Sequence, residues 1–324
     1  MRLAAIDCGT NTVLLLVADL VPGRVPRLTR VRDVLEMPRL GQDLDRTGQL
    51  QEAAMARTLA ALLAQRERAL ELGAARILAI GTESLRAAAN GAEFLARAAA
   101  AGVPLRVISG DEEARLSFRS VAASLPLPVG MRRSVLDIGG GSTELIVGTP
   151  HAEGQAPGLP PGSADRPERF ASVPIGSVRL TERLLRSDPP TAAEREALIA
   201  TIDKALEGLP QPQGELVALA GTATTAAALH LGLETYDSAR IDGMRLPVAG
   251  LAELVERLGG LSVAERRALP GLDARRADVI YAGAMILYRV ALRADVSDVV
   301  ISDRGVRWGA LEEAADDLTA AGSA

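Results

Sequence analysis

At 324 residues, 48% hydrophobic and 24% charged, the chain is long enough for two ordinary domains, each with a core of its own. A formal net charge of −5 argues against general nucleic-acid binding, which needs a basic excess, so any polyanion has to be gripped locally. The single cysteine, Cys8, offers no disulfide framework, and no apolar stretch reaches the length of a bilayer crossing, so a cytoplasmic protein with no membrane partner is expected.

AAIDCGTNTVLLLVAD (4–19) reads as apolar strand, Asp-x-Gly turn and apolar strand. Asp7 and Asn11 interrupt its apolar run and no A-x-A-like site follows, which argues against a signal peptide. QEAAMARTLAALLAQRERALELG has helical periodicity and closes at Gly73; ARILAIGTESL supplies a strand and a turn into the helix RAAANGAEFLARAAAAG. PLRVISG is a strand leading into DEEARLSFRSVAASL, a helix whose first turn carries the acids that the helix dipole favours. The prolines of LPLPVG mark the crossing into a second half.

SVLDIGGGSTELIVGT (134–149) repeats the opening plan, so that Asp7 matches Asp137, Gly9 matches Gly139 and Thr12 matches Ser142. Two such hairpins opening two halves of similar size point to a duplicated domain. HAEGQAPGLPPGSADRPER (151–169) is rich in Gly and Pro without periodicity and reads as a flexible, non-catalytic hairpin loop. FASVPIGSVRLTERLL follows, then the helix TAAEREALIATIDKALEGL, the strand ELVALAG with a TATT turn into a helix, the helix RRADVIYAGAMILYRVALRA, the strand DVVISD and a last helix, GVRWGALEEAADDL. The class is α/β, two sheets with helices packed on them.

The glycine turn has a chemical use. Without Cβ atoms, the amides of Gly139, Gly140 and Gly141 can converge, and Ser142 and Thr143 add hydroxyls, which makes a phosphate cradle; the same pattern also serves as a bare hairpin connection. Asp137 and Glu144 flank it, and hard carboxylate oxygens beside phosphate suit Mg²⁺, which takes few protein ligands and keeps its waters. Asp137 and Asp7 interrupt apolar strands and need partners, because a buried unpaired carboxylate is costly. In the first hairpin Gly9, Thr10, Asn11 and Thr12 offer more side-chain donors and fewer glycines. Two such loops facing each other across a cleft would hold two neighbouring phosphates, or a phosphate and its leaving group. Gly221, Thr222 and Thr224 lie at a strand-to-helix turn that either lends a helix N-terminus to an anion or caps that helix. His151 and His230 suggest no metal site, Cys8 reads as a small buried residue, and Trp308 with few other aromatics gives little for stacking a nucleobase.

The set D-x-G-T-N-T, G-T-x-S-L-R-x-A-x-N, I-S-G-D-E-E-A-R, D-I-G-G-G-S-T-E-L, G-T-A-T-T and S-D-x-G-V-R-x-G resembles the exopolyphosphatase and guanosine pentaphosphatase (Ppx/GppA) family from about residue 4 to residue 311. The resemblance implies two duplicated ribonuclease-H-like domains of the actin, sugar kinase and chaperone ATPase superfamily, with an interdomain cleft. Domain I would be 1–125 with the C-terminal helix 303–324 packing back on it, and domain II 126–302. Glu113 matches the family's general base; helix-terminal charge alone explains Asp111 and Glu112 equally well, so the choice among the three rests on the resemblance. Arg86 matches a catalytic arginine facing the phosphates, with Arg115, Arg179 and Arg304 as further candidates for that lining. Asp137 and Glu144 match Mg²⁺-associated carboxylates, with Asp7 contributing through water and Mn²⁺ as a substitute ion.

The implied reaction is Mg²⁺-dependent release of orthophosphate from the end of inorganic polyphosphate, with short chains favoured because the additional C-terminal domains of longer family members are missing from this sequence. The alternatives are a guanosine pentaphosphate (pppGpp) 5′-phosphohydrolase, an ATP-dependent kinase of the same superfamily, and a nucleotide-binding assembly protein without turnover. S-G-D-E-E-A-R argues for water as the acceptor, and retention of the carboxylates argues for turnover. A homodimer is also implied by the family.

Overall fold

Alternation along β1 (Arg2–Cys8) sends its side chains to two separate cores. Leu3 and Ala5 join Leu16, Ala18 and Leu28 around Trp308 and Leu311, while Ala4, Ile6 and Cys8 pack with Met55, Leu62 and Ala69. Those last three recur at helical spacing on Glu52–Glu71, which therefore lies along the opposite face of the sheet. In this computed structural model residues 1–21, 27–128, 130–149 and 167–322 are described. The 151–169 segment, with His151, lies outside them except for its last three residues.

The remaining strands of the first sheet are β2 (Val13–Leu20), β3 (Leu28–Glu36), β4 (Arg76–Gly81) and β5 (Arg106–Val107). Their order is β3-β2-β1-β4-β5, with β1–β3 antiparallel and β4 and β5 parallel to β1. The second sheet contains β6 (Arg133–Ile138), β7 (Thr143–Gly148), β8 (Arg169–Val173), β9 (Glu215–Leu219), β10 (Arg245–Pro247) and β11 (Asp298–Ile301). Written from its other edge the order is β8-β7-β6-β9-β11-β10, so its first five strands repeat the first sheet in order and direction. The duplication read from two hairpins thus extends to five strands, with β10 added antiparallel at one edge.

The described residues divide into a first unit, 1–126 with 306–322, and a second, 127–149 with 167–305. In the first, the helix Val306–Gly322 lies against β1 and against the helix Gly110–Ser124. Gly309 permits that crossing, since a Cβ there would fall 2.0 Å from the carbonyl oxygen of Leu116. Arg115 pairs with Glu313, Arg119 with Asp316, and Arg27 with Glu312 and Asp316, which fastens the helix along its length. The second unit has one large core running from Leu136 and Leu216 in the sheet through Ile202, Ala226 and Ile286 in its helices. Among the described residues no helix is long and apolar enough to cross a membrane.

Three elements depart from expectation. RAAANGAEFLARAAAAG is two helices, Glu83–Ala87 and Gly91–Ala100, because the Asn90 side chain turns to bond both the N–H (2.8 Å) and the C=O (3.0 Å) of Leu50. PLRVISG forms a ladder only at Arg106–Val107. The TATT segment is no turn, since the helix has already begun at Ala220.

Candidate active site

In each unit three parallel strands end on the same edge of the sheet, β1, β4 and β5 in the first and β6, β9 and β11 in the second, and the motif residues leave from those ends, where open α/β sheets place ligands. The two hairpin turns are built alike. Gly9 N–H donates to Thr12 O at 2.9 Å, and Gly139 N–H donates to Ser142 O at 3.0 Å.

The carbonyls inside each turn are tied down. Those of Gly139 and Gly140 accept from the first amides of the helix Ser177–Leu184: Ser177 N–H bonds Gly139 O, while Val178 and Arg179 N–H bond Gly140 O, each at 3.0 Å. The Arg179 guanidinium donates to Gly141 O. In a trans peptide the N–H points opposite to its C=O, so the amides of Gly140, Gly141 and Ser142 face away from this helix. Among the described residues they meet no protein acceptor. Gly176 makes the approach possible, because a Cβ there would sit 2.4 Å from Gly140 O. In the first unit Gly41 N–H bonds Thr10 O (2.8 Å) and Arg39 N–H bonds Asn11 O (3.2 Å), which turns the amides of Asn11 and Thr12 outward in the same way. Each loop is an amide cradle held from behind.

Asp137 and Glu144 are cross-strand neighbours in register, both buried, and Ser172 is in register with Glu144 on β8 and donates to its Oε1 at 2.6 Å. In the first unit Asp7 Oδ1 is enclosed with no hydrogen-bond partner among the described residues. Hard, anionic oxygens of this kind fit Mg²⁺, although among the described residues no group of three or more His, Cys, Asp or Glu side chains gathers as a complete metal centre.

The structure separates the three acids of S-G-D-E-E-A-R. Asp111 is exposed and Glu112 pairs outward with Arg106, whereas Glu113 is buried and meets Arg86. Ser109 caps the helix by accepting from Glu112 N–H at 3.1 Å, which fixes the turn that carries Glu113. Arg86, expected to face phosphate, bonds protein with three of its five N–H groups: Nη1 and Nη2 each donate to Glu113 Oε2 at 3.0 Å, and Nη1 also donates to Ile108 O at 2.6 Å.

Several other expected residues are placed differently. The buried Thr143 hydroxyl donates its proton to Ile175 O at 2.7 Å, so it supplies no hydroxyl donor to the cradle. The Thr224 hydroxyl bonds back to Ala220 O at 3.2 Å within its own helix, and Thr222 packs where a Cβ on Gly283 would lie 2.7 Å from its Oγ1. Arg115 is committed to Glu313 and Arg304 to Asp242, while Arg179 braces the glycine loop from behind. Cys8 is fully buried, and burial pushes its thiol well up from the ordinary range. His230 packs against Gly250, where a Cβ would lie 2.5 Å from its ring.

Two residues escaped sequence reasoning. Ser172 sits on an edge strand and belongs to no motif. Arg276 lays its guanidinium over Gly221, where a Cβ would fall 1.8 Å from Nη1, and desolvation lowers its pKa against the opposing pull of Asp273. A glycine at 221 was the one visible signal, and nothing in the sequence links it to an arginine 55 positions on.

The profile of the Ppx/GppA phosphatase family matches residues 16–317. The chain belongs to this family. Exopolyphosphatase 2 of Mycobacterium tuberculosis is 37% identical over 95% of this chain and 97% of its own length. The crystal structure of the Aquifex aeolicus Ppx/GppA family member superposes with a TM-score of 0.79 at 30% identity, covering 98% of each chain. An exopolyphosphatase from Cytophaga hutchinsonii superposes at 0.85 with 25% identity, again over 98% of each. The fold is thus the duplicated ribonuclease-H-like fold of the actin-like ATPases, and the chain is a phosphoanhydride hydrolase.

Asp7 is held at some expense to stability. Burial pushes its carboxyl up to about 6 from 3.8, while the Arg307 guanidinium pulls the other way. The folded protein therefore holds this proton more tightly than the unfolded chain does. Folding is favoured below 3.8, and that advantage is lost as the pH rises to about 6. In chelator, Asp7→Asn should be more stable than wild type by on the order of 2–3 kcal/mol at about pH 7.5, and the two should converge near about pH 4. Urea unfolding across that range checks it, and a gap independent of pH would refute it.

Proposed function

We propose that the enzyme removes the terminal phosphate of inorganic polyphosphate, short chains above all, in a Mg²⁺-dependent hydrolysis with Glu113 as the base. The observation that carries this reading is Glu113 itself, the one acid of its helix turn that is buried and fixed by an arginine at the strand ends that also carry an amide cradle. The outward amides of Asn11 and Thr12, and those of Gly140, Gly141 and Ser142, bind phosphate oxygens. Asp137 and Glu144, with Asp7, hold the Mg²⁺, which supplies charge neutralisation at those oxygens. Glu113 takes a proton from water as its oxygen bonds to the terminal phosphorus; the anhydride P–O bond breaks, and orthophosphate leaves a chain one unit shorter.

The name of the Mycobacterium tuberculosis relative supports polyphosphate as substrate, and the few aromatics disfavour a nucleobase site. Phosphate release should be measured from short-chain polyphosphate, long-chain polyphosphate, pppGpp and ATP, with Mg²⁺, with Mn²⁺ and in chelator. The highest kcat/KM is expected on short chains, with activity lost in chelator and restored by either ion. Preference for pppGpp would replace the substrate assignment, and turnover of ATP only with an added acceptor would replace hydrolysis by phosphotransfer. The family also implies a homodimer, which light scattering on the purified protein tests, and a cytoplasmic location, which cell fractionation tests.

A further inference from the structure

Arg86 leaves the segment after β4, and both Nη atoms of its guanidinium bond to the segment after β5. Nη1 is shared between Ile108 O (2.6 Å) and Glu113 Oε2 (3.0 Å), while Nη2 makes a second bond to the same Oε2 (3.0 Å). Ile108 is itself held in place: it is fully buried and its N–H bonds Gly81 O at 3.0 Å, five residues before Arg86. The guanidinium is therefore anchored to backbone through Nη1 and grips a single carboxylate oxygen through both Nη atoms. That geometry fixes the rotation of the Glu113 carboxyl and sets a positive charge on it. Of the other charges on the same stretch of helix, Glu112 pairs with Arg106 and Arg115 with Glu313, while Asp111 is exposed.

We propose that Arg86 is a positioning residue: it orients Glu113 and keeps it ionised, and does not serve as a phosphate ligand. The proposal rests on Glu113 being the base. A phosphate-binding arginine and a base-positioning arginine differ in what their loss changes. Removing a ligand of ground-state phosphate raises KM. Removing the cation from the base raises the pH at which the base becomes competent and lowers kcat.

The test is steady-state phosphate release from short-chain polyphosphate with Mg²⁺, across the pH range of activity, for wild type, Arg86→Ala, Arg86→Lys, Glu113→Gln and the double variant Arg86→Ala/Glu113→Gln. Expected for Arg86→Ala are a kcat lower by about 10–100-fold, a KM within about threefold of wild type, and an acid limb of kcat moved up by about one pH unit or more. Arg86→Lys retains the charge without the fork and should recover most of the limb while recovering little of kcat; it also keeps the test alive if the alanine variant does not fold. The double variant should be no slower than Glu113→Gln alone, because Arg86 acts through the missing base. A tenfold rise in KM with the limb unmoved, or additive losses in the double variant, would overturn the proposal. Full activity in Glu113→Gln would instead sink the assignment of the base, a separate outcome.

Discussion

Glutamine in place of Glu113 is expected to lower kcat by about 10²–10⁴-fold, the usual contribution of a positioned general base. The substitution keeps the volume of a buried side chain and leaves an amide oxygen to accept from Arg86, so the first unit should melt within a few degrees of wild type. KM should change little, because neither amide cradle is touched. Rates of phosphate release together with a thermal melt check both halves of this expectation. Retention of full activity would mean that water is activated by another group. Loss of the fold would mean that the Arg86–Glu113 pair is structural before it is catalytic.

The second large effect is expected from a single methyl group. Gly176→Ala places a carbon 2.4 Å from Gly140 O and 2.6 Å from Gly141 N, closer than real atoms approach, and both are backbone atoms of the cradle. No backbone strain is involved, since Gly176 has an extended φ of −155° that alanine adopts freely. The loop has to retreat from the helix Ser177–Leu184, which breaks the three 3.0 Å bonds that aim its amides. A displacement on the order of an ångström in a phosphate site costs about 100-fold in kcat/KM, and overpacking of this kind costs roughly 1–3 kcal/mol. Gly260→Ala is the control, because a methyl there meets nothing within 4 Å. Kinetics of the two variants side by side, with their unfolding curves, separate a misaimed cradle from general destabilisation; equal activity in both would contradict the role given to Gly176.

The Asp-x-Gly hairpins were readable because everything that defines them is local: an apolar alternation, a turn of small residues, and the same order twice. Their match predicted a duplicated domain, which the structure extends to five strands; β3 itself did not stand out, because its apolar residues, Leu28, Val31, Val34 and Leu35, do not alternate with polar ones. β10, only three residues long, is a strand because β11 lies beside it. The site divides along the same line. The glycine turns suggested phosphate chemistry from a local pattern that also fits a bare hairpin connection, whereas the burial of Glu113 and the bonds of Arg86 depend on β5 lying next to β4 in the sheet. Thr143 shows the reverse failure: a hydroxyl in a phosphate-like motif was claimed by Ile175, a residue brought close by the chain's return after β8.

The helix Val306–Gly322 has a consequence for the order in which the molecule can be completed. It brings Trp308 and Leu311 to the face formed by Leu3, Ala5, Leu16, Ala18 and Leu28, on strands that precede it by nearly 300 residues. A chain emerging from the ribosome amino end first must carry that apolar face uncovered while the whole second unit is built. Until Val306–Gly322 has emerged, that face is open to wrong partners, and docking of this helix is the event that covers it.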